Sequence, residues 1–187
     1  MLCRIALAGL LSLTLAAGVA AEKPADPPAK LEPAKCGEID RLHRFGDIFL
    51  ASQPREEDFK LLKREGVRTV INLREDEEID WDERAAVERL KLDYEHVPIG
   101  SLNKLTDETF DRLRELLLQA SERPVVLHCA VANRVGAVWL AHRILDGGLD
   151  DEAALKEAKA VGLKSPELEQ AARDYVARVR AARAQAR

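Results

Sequence analysis

The chain has 187 residues, with 29 Lys and Arg against 33 Asp and Glu, a formal net charge of −4 and only 4% aromatic residues. That length suffices for one domain with a sizeable core. The acidic balance, without any basic stretch interleaved with aromatics, argues against nucleic acid as a partner.

Residues 1–21 carry the pattern of a secretory signal peptide: Arg4 at the start, an apolar run from Ile5 to Val19, and Val19-Ala20-Ala21 as a small-residue cleavage site. Cleavage would take Arg4 with it and leave −5. The run is short for a membrane span, so a periplasmic or secreted protein with no membrane attachment after cleavage is expected. Residues 22–40 read as a linker, Pro- and charge-rich through Lys35 and expected to be extended. The domain is expected over 41–187, as a monomer. Cys3 would leave with the signal. Cys36 and Cys129 would remain in an oxidising compartment, where a disulfide between them is the alternative to a free Cys129. Four His and two Cys without C-x-x-C or H-x-x-x-H spacing predict no metal, and no cofactor is expected.

Within the domain, Gly46-Asp47 marks a turn between two short strands. Pro54 and the acids Glu56, Glu57 and Asp58 open a helix that Gly66 ends. Val67 to Leu73 is the clearest strand, near-continuously apolar and rich in β-branched residues. Arg74 to Glu88 is strongly acidic and reads as a solvated helix face. Asp93 to Ile99 reads as a strand, and Thr106 caps a helix bearing Phe110, Leu113, Leu116, Leu117 and Ala120. After Gly147-Gly148, Asp150–Ala160 and the segment from Ser165-Pro166 read as two more helices. Strands alternating with helices predict an α/β fold, with a mainly parallel central sheet and helices on both faces. Its site is expected at the carboxyl ends of the strands.

The stretch Pro124-Val125-Val126-Leu127-His128-Cys129-Ala130-Val131-Ala132-Asn133-Arg134-Val135-Gly136 falls where that rule points. An apolar β-branched strand runs through His-Cys into a short loop, and from Val135 a buried helix is predicted up to Gly147-Gly148. A strand feeding a loop that opens a helix makes an anion site, because free N–H groups and the positive helix end converge there. Cys129 in that ring is placed to act as a thiolate nucleophile. Arg134 can return across the loop and grip two oxygens of a bound phosphate. Ala130, Val131, Ala132 and Asn133 would supply the cradle around it.

His128-Cys129…Arg134 at the end of such a strand resembles the signature loop of the cysteine-dependent phosphatases. His-Cys-x-x-x-Asn-Arg-Val-Gly-Ala is similar, more narrowly, to a bacterial branch of the dual-specificity phosphatase-like family. Val-Arg-Thr-Val-Ile-Asn-Leu-Arg (67–74) resembles the front half of the same family, so the likeness runs over about residues 44–147. The chain departs from that pattern in two ways. Four residues separate Cys129 from Arg134 where five are usual, and Val131-Ala132 stand where Ser-Gly is common. The short spacing and the Asn-Arg pair also resemble the rhodanese sulfurtransferase loop.

The resemblance implies hydrolysis of a phosphorylated protein or a small-molecule phosphate ester through a phosphocysteine on Cys129. Arg134 would hold the oxygens, and His128 would organise hydrogen bonds behind the cysteine. It also implies an acidic residue about thirty positions before the cysteine. Pro98 to Asn103 holds none, so Asp107 ranks first for that role, ahead of Asp93, Glu95 and His96. Asn133 is expected to orient the loop or Arg134, and Asn72 to satisfy a strand edge. Two other readings remain: a weak or inactive anion-binding module, suggested by Val131-Ala132, and a sulfurtransferase carrying a persulfide on Cys129.

Overall fold

The structure, a computed structural model, describes residues 29–186; the signal-like stretch 1–21 and the first part of the linker lie outside them. Among the described residues six strands form one sheet in the order β1-β2-β3-β6-β4-β5. The strands are β1 (Glu32–Pro33), β2 (Leu42–Phe45), β3 (Ile48–Ala51), β4 (Thr69–Asn72), β5 (Asp93–His96) and β6 (Val125–His128). The β1-β2-β3 edge is antiparallel, and the pairings β3-β6, β6-β4 and β4-β5 are parallel. The predicted turn between β2 and β3 holds Gly46 at φ +56°, a left-handed conformation that glycine takes without steric cost.

The helices are α1 (Glu56–Arg64), α2 (Glu83–Arg89), α3 (Asp107–Leu118), α4 (Asn133–Leu145), α5 (Asp151–Val161) and α6 (Pro166–Gln185). Four of them carry a side-chain cap: Asp82, Thr106, Asp150 and Ser165 each accept a hydrogen bond from the backbone N–H three residues on, at Thr106 and Ser165 as the sequence predicts. Side-chain alternation along the central strands divides the core in two. Ile48, Leu50, Ile71, Val125 and Leu127 point towards the layer built by α3 to α6. Phe49, Ala51, Val70 and Val126 point towards the layer of α1 and α2, against Phe59, Leu62 and Val87. Helix α4 is buried without a break from Val135 to Ile144 and packs against α3, α5 and α6, so no solvated stripe interrupts its sequence.

Two expectations change. The segment read as linker enters the domain from Glu32, where β1 pairs with β2, and Cys36 and Ile39 are buried beyond it. Apolar side chains spaced along a Pro-rich stretch anchor it despite its composition. The stretch from Arg74 to Glu88 is not one solvated helix: a 3₁₀ turn at Asp76–Glu78 precedes α2, and Glu83 is buried.

Candidate active site

Strand β6 ends at His128, and α4 begins only five residues later at Asn133. Between them the chain turns through Ala132, which lies at φ 65°, ψ 10° and is fully buried. An alanine in that conformation costs about 1–2 kcal/mol relative to a relaxed backbone, a role glycine usually fills. Its methyl faces Gly162 at the end of α5, where an added β carbon would stand 3.0 Å from Ala132 Cβ. Gly136, one turn into α4, is needed for the same approach, since a β carbon there would lie 2.6 Å from the backbone nitrogen of Leu163. The α5–α6 connection is thereby clasped to the back of the loop.

The turn leaves a run of free donors. Among the described residues, the backbone N–H groups of Ala130, Val131, Ala132, Asn133, Arg134 and Val135 donate to no backbone or side-chain acceptor; the first α4 bond is Gly136 N–H to Ala132 C=O at 3.0 Å. Unpaired donors at the positive end of a 13-residue helix are a set of groups able to receive an anion. Cys129 precedes this ring and is 1% exposed. It lines a cleft of about 530 Å³ with Arg134, Asn133, Glu78, Ser101 and Glu167, while Ile99, Leu102, Val131 and Leu168 add apolar wall.

Arg134 is not idle. Its two terminal nitrogens each donate to one oxygen of Glu78 at 2.7 Å, and Nη1 also reaches the carbonyls of Ile99 at 2.8 Å and Leu73 at 3.1 Å. Burial works against the guanidinium charge, but Glu78 and the nearby Cys129 outweigh it and hold the group charged above its ordinary range. The same fork holds the Glu78 carboxyl down at about 2.

Behind the cysteine lies a network absent from the sequence reading. Glu83 is 3% exposed. It accepts from Gln53 Nε2 and from Tyr94 Oη at 3.0 Å, and its Oε1 lies 3.1 Å from His128 Nε2. That last contact is at ion-pair distance but off the hydrogen-bonding line, leaving both ring nitrogens of His128 without a hydrogen bond. Burial pushes the Glu83 carboxyl up, and His128 and the two donors overcome it, so it stays ionised below its ordinary range. Gln53 also accepts from Arg74 at 2.7 Å, and its backbone N–H reaches the Ala130 carbonyl at 3.2 Å, tying the network to the start of the loop. His128 faces the α1–α2 layer, at 6.2 Å from the Phe59 ring, and donates no hydrogen bond to the loop, contrary to the expectation that it organises hydrogen bonds behind Cys129.

The remaining candidates are engaged by other partners. Asp107 does not line the cleft; its carboxylate is paired with Arg178 of α6, with a closest contact of 2.6 Å, at the start of α3. A carboxylate engaged there cannot protonate a leaving group over Cys129. Asp93 pairs with Arg123, Glu95 with Arg112, and His96 Nε2 sits 2.7 Å from the Arg74 carbonyl. Asn133 does not touch Arg134: its Oδ1 accepts from the backbone N–H of Lys164 at 2.8 Å and Ser165 at 3.2 Å, fixing the α5–α6 connection. Asn72 is on an interior strand and bridges Tyr94 Oη and the Arg74 N–H. Cys36 and Cys129 are both free and sit in different core clusters, so no disulfide joins them.

The chain resembles known proteins along most of this framework. The family described as DSP-PTPase phosphatase fused to NAD+ kinase matches residues 42–174. The dual specificity protein phosphatase TpbA of Pseudomonas aeruginosa is 30% identical over 143 residues, covering 74% of this chain and 63% of the relative. A beta-lactamase hydrolase-like protein of Xylella fastidiosa is 28% identical over 125 residues, covering 62% of this chain and 28% of that protein. The chain thus spans under two thirds of the length of these curated relatives. The crystal structure of P. aeruginosa TpbA has a TM-score of 0.62 and 28% identity, covering 80% of this chain and 89% of that one. A second TpbA crystal structure, in complex with pTyr, gives 0.62 and 27% identity over 81% and 91%. Because the match from residue 42 to residue 174 takes in β2 to β6 and every residue lining the cleft, the chain belongs to the bacterial dual-specificity-phosphatase-like family of cysteine phosphatases.

Proposed function

We propose that the protein is a cysteine-dependent phosphomonoesterase, acting through a phosphocysteine on Cys129. The observation that carries this reading is the run of six free N–H groups that follows Cys129 and includes Arg134. The phosphoryl oxygens of a substrate would sit in that ring, with Arg134 gripping two of them as charge spreads over them. The Cys129 sulfur forms the S–P bond as the ester P–O bond breaks, and the leaving oxygen carries away the electron pair. Water then attacks phosphorus, the S–P bond breaks, and thiolate and phosphate are released.

The carboxylates lining the cleft are Glu78 and Glu167. Glu78 is held ionised by Arg134, and hydrogen bonds from Ser165 and its own backbone keep Glu167 below the usual range. Neither is poised to donate a proton near neutral pH. Aryl esters, whose leaving oxygen needs little protonation, are therefore the favoured substrates. Phosphotyrosine, the ligand of one TpbA structure, fits that requirement. The pattern of residues 1–21 supports action in the periplasm or outside the cell, on phosphorylated proteins or small aryl phosphates.

The test is a paired assay of the full chain, on an aryl phosphate and on thiosulfate with cyanide. Turnover of the first alone, lost in Cys129→Ser, is expected. Sulfur transfer to cyanide would point instead to a persulfide carrier, and turnover of neither to an anion-binding module.

A further inference from the structure

The walls of the cleft carry little positive charge. Among its described lining residues Arg134 is the only Lys or Arg, and Glu78 already meets it with both carboxylate oxygens. The neighbouring Lys104 is turned away into a 2.6 Å pair with Glu75. Lys164 lines a different hollow with Lys159, which meets α6 at Pro166 and Gln170 and does not include Cys129 or Arg134. A substrate bearing several phosphates would find no second cation here, and burying unpaired anionic groups is costly.

The rim has the opposite character. Val131 and Leu102 are 66% and 45% exposed, two of the three exposed large hydrophobics of the described chain, and both line the cleft. Past Leu102 and Glu167 the cleft continues into a second groove of about 510 Å³ along α6, lined by Pro166, Gln170, Ala171 and Asp174. No Lys or Arg lines it; Asp174 accepts from Gln170 Nε2 at 2.7 Å, and the nearby Arg178, whose charge also reaches Asp174, is engaged by Asp107.

We propose that this double groove selects phosphotyrosyl peptides with a basic residue beside the phosphotyrosine. The aryl ring lies between Val131 and Leu102, and the neighbouring Lys or Arg lies along α6 against Glu167 and Asp174. The assignment rests on the phosphatase reading above and names its substrate class. The two grooves in line exceed what one phosphotyrosine fills, which favours an extended peptide over a small ester. Glu167 also accepts from the hydroxyl of the cap residue Ser165 at 2.6 Å, so its test must separate specificity from helix stability.

The test compares kcat/KM of the full chain on two phosphotyrosyl peptides differing only in Lys or Glu beside the phosphotyrosine, with para-nitrophenyl phosphate and an inositol polyphosphate alongside. Glu167→Gln, Asp174→Asn and the double variant are measured in parallel. The readout is the ratio between the two peptides within each protein, so a change in overall rate or folding cancels. An exposed ion pair is worth at most about fivefold in binding, so a Lys preference of about twofold to fivefold is expected in the parent. It should fall to about one in the double variant, and shrink as salt shortens the Debye length from about 30 Å to about 3 Å. Equal rates on the two peptides, a ratio unchanged in the double variant, or faster turnover of the inositol polyphosphate would overturn the assignment. If para-nitrophenyl phosphate is turned over in any of those cases, the phosphatase reading survives without it; if no aryl phosphate is turned over, both fall.

Discussion

Arg134 and Glu78 meet as two forks, each terminal nitrogen of the guanidinium 2.7 Å from one oxygen of the carboxylate, inside the cleft that Cys129 lines. A bidentate pair of this geometry is the one an arginine makes with a phosphate. A phosphate entering the loop therefore competes with Glu78 for the same donors. Because Arg134 holds the Glu78 carboxyl at about 2, the pair is intact above the ordinary value of 4.5 and is lost only as pH falls from there towards 2. Throughout a neutral assay the competitor is present. Glu78→Gln should lower the inhibition constant of inorganic phosphate about twofold to fivefold near neutral pH, the size of a partly exposed ion pair. A weaker inhibition constant would instead make Glu78 the support that aims the Arg134 fork.

Glu83 sits 3.1 Å from His128 and accepts from Gln53 and Tyr94 with almost no solvent contact. Removing one member of a buried ionic network strands the others. Glu83→Ala should cost about 3–5 kcal/mol in urea unfolding. Glu83→Gln keeps the shape and part of the hydrogen bonding and should cost less. Equal stability of the parent and Glu83→Ala would show that the network is solvated in solution.

The sequence makes the framework legible because each element has its own local signal. The β-branched runs of β4 and β6, the caps at Thr106 and Ser165, and the unbroken apolar run of α4 all state their own conformation. The turn from β6 into α4 is legible too, since it is built from consecutive residues. What the sequence hides is pairing across distance. Glu78 and Glu83 look like members of a solvated acidic run, and nothing in their spacing says that Arg134 and His128 reach them from strands and helices 45 or more residues away. Asp107 misleads for the same reason. Its partner Arg178 lies on a helix that folds back only once the domain is assembled.

A second buried pair makes the stability of the fold depend on acid. Arg114 grips Asp146 from α3, with Nε to Oδ2 at 2.8 Å, and reaches Tyr175 Oη at 2.6 Å, while His142 Nδ1 lies 3.1 Å from the same carboxylate. Burial pushes the Asp146 carboxyl up, but the hydrogen bonds from His142 and Arg114 overcome it and hold the group well below its usual 3.8. A depressed folded value gives stability that is fully present above the unfolded value and lost as pH falls below it. The difference in unfolding free energy between the parent and Asp146→Asn should shrink as pH falls below about 4. A difference that grew on acidification would contradict the pairing.

Val131 and Ala132 separate into two roles. Ala132 occupies the left-handed turn and is fully buried, with its methyl against Gly162. Ala132→Gly removes a backbone penalty of about 1–2 kcal/mol, but it loses the methyl contact and loosens the unfolded chain, so the net change in stability should be within about 1 kcal/mol. Val131 is 66% exposed on the rim, and Val131→Ser exchanges an apolar lip for a hydroxyl at little structural cost. If the alanine turn keeps the N–H ring slightly open, the double variant should raise kcat on para-nitrophenyl phosphate by relieving it. If Val131 grips an aryl ring, Val131→Ser alone should raise KM for phosphotyrosyl peptides while leaving inhibition by inorganic phosphate unchanged. Measuring kcat and KM for the two single variants and the double variant separates a strained cradle from a shaped rim, because the first acts on every phosphate ester and the second only on those with a ring to hold.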